Sequence, residues 1–418
     1  MHQLKLYKPA GIERARDTFC NVCNGAPSLC RMTTCPFLGG LRRWIEDNRA
    51  MKTTNLSGPS PPAIFVGQGG YPKISTGPLV PPLTQCDDAS IMDAPEQWLH
   101  KTFDELLRYR LSLFMGKAPM TVASAKAPNR MLQVVQELVM ADQPTETEVW
   151  LSKRPNLEAI FMPRLAPIGP SGPMTKAVLA ENPRVPGPVD AAVSDKDLQA
   201  QDGIVKLHRS GIPQQHLTRL LSIGLLGRGS QRRLVPTEWS ITAVDDILGK
   251  ELRREVLNYP SLSEFQVFGS AALANNVQVL LLPSMWMFEA LEAWLRSPNS
   301  QPVNDFELTK GRSSYPRNLL GAYHATRLPI LEYLTRIRKQ AGAVVFLEVS
   351  DNWIPLGVWR FRELCREALK AEPIRTSTME EALALLSPRL LLPIQRWIRV
   401  SEVLRYHRTQ LRIEKWMQ

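Results

Sequence analysis

Apolar residues recur along this chain with two different periods, and the two periods predict both helices and strands. Helical spacing predicts helices at 98–115, 131–140, 285–295 and 358–369. Short, nearly continuous apolar runs predict strands at 64–66, 149–151, 277–282 and 343–349. Because strands alternate with helices, we expect a mixed α/β (α+β) core.

The longest run in which polar, aromatic and acidic residues interleave is RLVPTEWSITAVDDILGK, residues 233–250. Its first part, 234–241, is expected to be a strand or an extended segment. Its second part has apolar residues at helical spacing, and Thr242 is expected to be the N-cap of that helix. Asp245 and Asp246 then fall in the first turn, where the helix dipole favours carboxylates.

Two interpretations of this stretch remain open. The acidic pair can be capping charges on an ordinary core helix. It can also belong to a functional site, because side chains and backbone N–H groups converge where a strand turns into a helix. In that case Glu238, Asp245 and Asp246 are the candidate catalytic carboxylates. Their candidate basic partners, chosen on residue type alone, are Arg312, Tyr323, His324 and Arg327.

Two segments rich in glycine or proline interrupt the pattern. Gly67, Gly69 and Gly70 lack the spacing of a P-loop or a dinucleotide fingerprint. They predict a turn between two strands, since hairpin turns need positive φ, with a backbone approach to phosphate as the alternative. The segment 162–188 is rich in both residue types, so we expect a long ordered loop or an extended arm.

The length of the chain predicts the number of domains, and its charge bears on the class of partner. A chain of 418 residues is too long for one compact core and predicts about two or three units. The formal charge is +11, and residues 311–418 hold 18 Lys and Arg against 10 Asp and Glu. Such a basic region can bind a phosphate backbone, or it can be only a soluble basic surface. Charge alone does not decide between these.

Four of the six cysteines lie within sixteen residues, at Cys20, Cys23, Cys30 and Cys35. The C-x-x-C pair places two thiolates on one side of a metal, and four thiolates suit tetrahedral Zn²⁺. An iron–sulfur cluster uses the same ligands and is the open alternative. Four protein ligands leave no position for water, so we expect a small structural zinc module. Cys86 and Cys365 have no such neighbours and are expected to be buried thiols.

No segment has the character of a secretion signal or a membrane span. The N-terminal residues lack the apolar core of a signal peptide, and no apolar run reaches about 18 residues. We therefore expect a cytoplasmic protein without a membrane partner, whose cysteines are reduced or metal-bound.

The last residues, QLRIEKWMQ, have a pattern typical of a short docking motif. Gln410, Ile413, Trp416 and Met417 fit Q-x-x-aliphatic-x-x-aromatic-hydrophobic. A short turn at this spacing places the three apolar side chains on one side as an anchor and leaves the glutamine for a hydrogen bond. The alternative is the end of an amphipathic helix that begins near Ser401 and packs on its own domain.

Several segments together are similar to one family. They are the four-cysteine cluster, SPPAIFVGQGGYPKISTGP, NPRVP, LLSIGLLG, RLVPTEWSITAVDD and PLGVWRFRE, of which RLVPTEWSITAVDD is the most specific. With these segments, most of the chain resembles the archaeal NreA family of DNA repair proteins (the Nre family). The resemblance implies a metal-binding module at the four cysteines and a sliding-clamp motif at the four tail residues. The usual clamp motif ends in two aromatic residues, whereas the second position here is Met417. The resemblance supplies no catalytic residues.

We therefore expect a nucleoid-associated DNA repair protein that binds the DNA polymerase sliding clamp (PCNA) through its tail and DNA through its basic surface. The expected organisation is a zinc module with a short helix at 1–51, a mixed α/β core at 52–300, a basic C-terminal region of helices and strands at 301–407, and a clamp-binding tail at 408–418. One alternative is a hydrolase acting on nucleic acid or nucleotide adducts, with its site at 238–246. Another is a protein-interaction scaffold.

Overall fold

The computed structural model describes residues 47–82, 89–156, 166–295, 297–350 and 356–409. These residues form two compact units. The first holds 47–248 together with 356–357, and the second holds the other described residues from 249 to 409. Within the described ranges, no helix is long and apolar enough to cross a membrane.

The first unit contains a six-stranded mixed sheet. Its strands are β1 (Asn55–Ser60), β2 (Ile64–Val66), β3 (Lys73–Val80), β4 (Phe114–Thr121), β5 (Thr145–Leu151) and β6 (Ser171–Leu179). They lie in the order β1-β5-β6-β4-β3-β2, with β4 parallel to β6 and the other neighbours antiparallel. Strands β3 and β4 approach closely at Gly77, where a Cβ would lie 1.6 Å from the Gly116 carbonyl oxygen. Only glycine fits at this position.

Several helices belong to the first unit. They are α1 (Phe103–Ser112), α2 (Arg130–Met140), α3 (Gly187–Ser194), α4 (Ala200–Arg209), α5 (Gln214–Ser222) and the first part of α6 (Thr237–Val256). Helix α1 begins at a capping box, in which Thr102 Oγ1 accepts from Glu105 N and the Glu105 carboxylate accepts from Thr102 N. Helix α2 contacts β6 and buries an apolar stripe at helical spacing.

The second unit contains another six-stranded mixed sheet. Its strands are β7 (Phe265–Ala272), β8 (Asn275–Leu282), β9 (Met287–Leu295), β10 (Val303–Glu307), β11 (Gly342–Ser350) and β12 (Ile374–Thr376). They lie in the order β10-β9-β11-β8-β7-β12, with β9 parallel to β11 and the other neighbours antiparallel. Strand β8 is buried along its whole length because it lies in the interior of the sheet.

Helices cover both faces of the second sheet. Besides the end of α6 they are α7 (Gly321–Ile337), α8 (Trp359–Ala368), α9 (Met379–Leu386), α10 (Ile394–Val400) and α11 (Glu402–Thr409). On one face, Trp397 of α10 packs edge-on against Phe346 of β11, with ring centroids 5.6 Å apart. On the other face, Tyr333 of α7 packs against Phe268 of β7 at 5.3 Å. The remaining short elements are 3₁₀ turns at Arg49–Lys52, Ser90–Asp93, Pro95–Gln97, Val122–Lys126, Gly229–Gln231 and Ser387–Arg389.

The structure confirms the mixed α/β class and most of the predicted helices and strands. Confirmed are the strands at 64–66, 149–151, 277–282 and 343–349 and the helices at 131–140 and 358–369. The glycine-rich turn is also confirmed as a hairpin, because β2 and β3 are antiparallel and Gly70 has φ 81°. Cys365 is a buried thiol, as predicted.

The helix predicted at 285–295 is wrong, since this segment is the strand β9. It lies between β10 and β11, and its residues 287–293 are buried on both faces of the sheet. A strand that is buried on both faces does not alternate between apolar and polar residues, so periodicity cannot distinguish it from a buried helix. The helix predicted at 98–115 is shorter than expected: α1 ends at Ser112, and Phe114 begins β4.

The loop predicted over 162–188 is also wrong at 171–179, which form β6, and at 187–188, where α3 begins. Strand β6 includes Pro173, and Pro170 lies just before it. These prolines take part through their carbonyl oxygens: Met115 N donates to Pro170 O at 2.8 Å and Ser152 N to Pro173 O at 2.8 Å. Proline lacks a donor but keeps its acceptor, so it fits where the ladder needs only a carbonyl.

Candidate functional site

The central stretch begins its helix earlier than its sequence predicts. Helix α6 starts at Thr237, because the Pro236 carbonyl accepts hydrogen bonds from Trp239 N at 2.9 Å and Ser240 N at 3.0 Å. The Thr242 hydroxyl donates to the Glu238 carbonyl at 3.3 Å inside the helix, so it is not an N-cap. The strand or extended segment expected over 234–241 is therefore wrong from Thr237 onward, where the chain is helical, and the two aspartates lie more than two turns into α6.

Asp245 and Asp246 differ in environment. Asp245 is only 1% exposed and accepts a hydrogen bond from the Gln214 side chain, whereas Asp246 is half-buried. Adjacent residues on a helix point about 100° apart, so the two carboxylates do not share one face. The capping interpretation and the functional-site interpretation both placed Asp245 and Asp246 in the first turn. Of the three candidate carboxylates, only Glu238 lies there.

The start of α6 is tied to the glycine-rich hairpin. Thr237 Oγ1 accepts from Val66 N at 2.9 Å, and Gln68 Nε2 donates to a Glu238 carboxylate oxygen at 3.2 Å. The rings of Tyr71 and Trp239 lie 5.3 Å apart with an interplanar angle of 48°. Hairpin and helix therefore present one continuous surface.

Two exposed basic residues lie on backbone segments at this hairpin and next to the start of α6. The backbone at Pro72 accepts from Val122 N at 3.0 Å, and Val122 O accepts from Leu234 N at 2.9 Å, so three segments run side by side. Lys73 follows the first of these positions and Arg233 precedes the last, and both are exposed. Tyr71 is 48% and Trp239 45% exposed. We call Tyr71, Lys73, Arg233 and Trp239 the aromatic–basic patch.

A buried ion-pair network lies elsewhere in the first unit. Asp93 pairs with Arg110 at 2.6 Å and with Arg219 at 2.7 Å. Gln215 donates to the same carboxylate at 3.5 Å. Burial lowers the pKa of Arg110, opposed by the Asp93 charge. Because both arginines need this carboxylate, the network joins α1 and α5 and is structural.

The four candidate basic partners lie together in the second unit, while Glu238, Asp245 and Asp246 belong to the first. Arg327 on α7 bonds Glu307 of β10, with Nε–Oε1 2.9 Å and Nη2–Oε1 2.8 Å. The same oxygen accepts from Trp286 Nε1 at 2.7 Å. The Arg253 Nε atom lies 3.8 Å from it.

Asp305, two residues before Glu307 on β10, organises the loop that leads into α7. Its carboxylate accepts from the backbone N–H groups of Arg317, Asn318 and Leu319 at 3.2, 2.8 and 2.8 Å. Arg312 pairs with it at 2.9 Å. Both oxygens of Asp305 and the Oε1 atom of Glu307 thus have donors.

Tyr323 completes this group. The Arg312 guanidinium lies 5.6 Å from the centroid of the Tyr323 ring, and Phe288 packs edge-on against that ring at 5.1 Å. Burial, reinforced by the Glu307 charge, raises the pKa of Tyr323 above its usual range, so the phenol stays protonated. The arginine cluster, as we name it, comprises Arg253, Asp305, Glu307, Arg312, Tyr323 and Arg327.

Sequence reasoning missed Asp305, Glu307 and Arg253. A signal was present, because residues two apart on a strand share a face and Asp305 and Glu307 are such a pair. The pairing of Glu307 with Arg327 joins residues 20 positions apart, which no local pattern shows.

The predicted metal and clamp residues lie outside the described ranges. This holds for Cys20, Cys23, Cys30 and Cys35 and for Gln410, Ile413, Trp416 and Met417, and also for Cys86. Among residues that the structure describes, no group of three or more His, Cys, Asp or Glu side chains could hold a metal ion.

Two family models match the chain. The model described as archaeal Nre, N-terminal, matches residues 29–299, and archaeal Nre, C-terminal, matches 307–416. Their junction differs from the division between the two units at 248 and 249. Strands β7, β8 and β9 fall in the first match, although they share a sheet with β11 and β12 from the second.

Curated relatives agree with these matches. The DNA repair protein NreB of Archaeoglobus fulgidus is 35% identical over 92% of this chain and 97% of its own length. The DNA repair protein NreA of the same organism is 34% identical over 89% and 93%, respectively. The DNA repair protein NreA of Haloferax volcanii is 36% identical over 78% and 81%. No solved structure matches the chain.

Proposed function

Because the chain belongs to the archaeal Nre family, whose compared members are named DNA repair proteins, we propose that it acts in DNA damage repair by contacting DNA and the polymerase sliding clamp. The observation that carries the DNA contact is the aromatic–basic patch. Membership of the family supports a role in DNA repair, and the aromatic rings and positive charges of the patch suit a nucleic-acid ligand.

The patch combines the two features that bind unpaired bases. Tyr71 and Trp239 are tilted and not sandwiched together, so each ring retains accessible area for a base. Stacking of one base on an aromatic side chain contributes about 1–3 kcal/mol. Lys73 and Arg233 add positive charge for the phosphate backbone, in a chain whose net charge is +11. A damaged or single-stranded region exposes its bases, so we expect it to bind more tightly than intact duplex.

Binding of a fluorescent single-stranded oligonucleotide, followed by anisotropy, tests this contact. Trp239→Ala and Tyr71→Ala should each weaken binding by about tenfold, since each removes one stacking surface. Leu391→Ala is the control, because Leu391 is a 53% exposed apolar residue of the second unit. Equal binding by all three variants and the original chain would exclude the patch as the DNA contact.

The clamp contact is assigned to the C-terminal residues. Helix α11 buries Val403 and Leu404, and its last residue, Thr409, is exposed. In the sequence, the motif of Gln410, Ile413, Trp416 and Met417 begins directly after this exposed residue. Its three apolar side chains provide the concentrated anchor that short motifs need.

Calorimetry against the sliding clamp of the same cell tests this assignment. Changing Ile413 and Trp416 to alanine should abolish binding while leaving the melting temperature unchanged. The other interpretation, a packed helix end, predicts a lower melting temperature and no clamp binding by the original chain. Absence of binding by the original chain at about 10 μM would sink the clamp assignment.

The metal module is a further part of the proposal. Cys20, Cys23, Cys30 and Cys35 would hold one structural zinc, with an iron–sulfur cluster as the alternative for the same ligands. Elemental analysis separates the two, and Cys23→Ala should lose the bound metal. Protein without metal would reject both.

The hydrolase alternative keeps one supporting observation. Glu238 is held by Gln68 at the edge of the aromatic–basic patch, where a bound base or adduct would lie. If Glu238 acts as a general base, Glu238→Gln should retain oligonucleotide binding and abolish product formation from damaged DNA. If the original chain forms no product with or without divalent metal, the hydrolase alternative is excluded and only the binding function remains.

A further inference from the structure

The arginine cluster contains buried donors that no protein group satisfies. Tyr323 Oη, Arg253 Nε and Arg327 Nη1 are all buried without a hydrogen-bond partner. Tyr323 is 2% and Arg327 4% exposed. About nine in ten buried polar groups have a hydrogen-bond partner, so three unsatisfied donors near the Glu307 carboxylate need an explanation.

Charge in the cluster is unbalanced. Among the six residues that define the cluster, three arginines oppose two carboxylates, Asp305 and Glu307, so the cluster holds one positive charge in excess. Glu307 Oε1 already accepts from Trp286 and twice from Arg327, and Asp305 accepts from three backbone N–H groups and Arg312. Glu307 Oε1 therefore has no lone pair left to satisfy Arg253 Nε, which lies 3.8 Å from it. The missing partner is therefore an acceptor with negative charge.

We propose that the arginine cluster is a binding site for the oxyanion of a phosphate ester. The three donors come from two elements, α6 and α7, and the oxygens of one phosphate group can accept from all three. Guanidinium groups bind phosphate strongly because their donors form a planar fork. The Arg253 and Arg312 side chains are 21% and 18% exposed, so the cluster opens to solvent on their side. The site lies in the second unit and does not rest on the aromatic–basic patch.

Helix α6 is shaped to accommodate Arg327. A Cβ at Gly249 would lie 2.8 Å from Arg327 Nη1. Glycine at this position lets the guanidinium lie against the helix with Nη1 near it. Gly249→Ala should therefore displace the group that we assign to the ligand.

Two tyrosines on α7 provide a matched test. Tyr323 makes no hydrogen bond through its hydroxyl, whereas the Tyr333 hydroxyl donates to Gln266 Oε1 at 3.1 Å. Tyr323→Phe removes an unsatisfied buried group, so the melting temperature without ligand should stay unchanged or rise. Tyr333→Phe should lower it. With inorganic phosphate at constant ionic strength, the original chain and Tyr333→Phe should gain thermal stability, and Tyr323→Phe should bind at least about tenfold more weakly.

Oligonucleotides identify the source of the phosphate. A 5′-phosphorylated oligonucleotide that displaces inorganic phosphate better than its 5′-hydroxyl equivalent would assign the site to a DNA terminus. Equal displacement would assign it to the phosphodiester backbone, and displacement by neither would assign it to a small phosphate compound. The proposal is overturned if the original chain gains no stability at about 10 mM phosphate, or if Tyr323→Phe binds phosphate as the original chain does.

Discussion

At the scale of single residues, burial decides which ionisable groups can carry charge. His216 on α5 is 5% exposed, and its Nε2 lies 2.8 Å from the Val139 carbonyl oxygen, to which it donates. Burial, assisted by the charge of Arg219, lowers the pKa of His216 to about 4. The imidazole is therefore neutral in the folded protein at pH values where the unfolded chain begins to take up a proton.

This difference predicts a stability change with pH. Between pH 6.5 and about 4 the unfolded state binds more protons at His216, so stability falls as the pH falls through this window. Between pH 7 and pH 5, the titration of His216 should lower the free energy of unfolding by about 2 kcal/mol. His216→Gln can keep the donor to Val139 without titrating, so its loss of stability over that range should be smaller by this amount. Urea unfolding at both pH values measures it, and identical losses in the two proteins would contradict the assignment.

At the scale of elements, what can be predicted depends on how local the cause is. The strands at 277–282 and 343–349 are visible because interior strands need an uninterrupted apolar run. Strand β9 is also buried, at residues 287–293, but contains residues with helix preference, and its pairing with β10 and β11 determines its conformation. The sequence pattern misplaces the start of α6 because the Pro236 carbonyl, and not the Thr242 side chain, defines its first turn.

Two threonines on α6 separate the predicted start from the observed one. Thr237 Oγ1 accepts from Val66 N and joins the hairpin to the helix, so Thr237→Ala should cost about 1 kcal/mol. Thr242 bonds only within its own helix, and Thr242→Ala should change stability by less than about 0.5 kcal/mol. A helix beginning at Thr242 would give the reverse order, since loss of an N-cap costs about 0.5–2 kcal/mol. Denaturant unfolding of both variants decides between the two starts.

In the candidate sites, too, contacts between different elements cannot be predicted from local sequence. Residue type alone selects Arg312, Tyr323, His324 and Arg327, and they do lie together, because three of them are close in sequence on α7. Their carboxylate partners come from β10, and Arg253 comes from α6. These contacts depend on the pairing of β10 with β9, which sequence periodicity does not reveal.

At the scale of the whole molecule, the division into two units predicts which fragment can fold. Residues 307–416 match the C-terminal family model, yet strand β11 in that segment pairs with β8 and β9, which both lie before it. A fragment of residues 307–418 therefore leaves both edges of a buried apolar strand unpaired. A fragment of residues 249–418 contains all six strands of the second sheet.

We expect the longer fragment, 249–418, to unfold in one cooperative thermal transition, because its sheet is complete and both faces are covered. The shorter fragment, 307–418, should show no cooperative transition and should aggregate through its exposed strand edges. Circular dichroism during heating distinguishes these outcomes. In the longer fragment, phosphate should still raise the melting temperature, since all six residues of the arginine cluster are present. A cooperative transition in 307–418 would show that β11 folds without β8 and β9, and the pairing of β11 with these two strands would then not determine the stability of this unit.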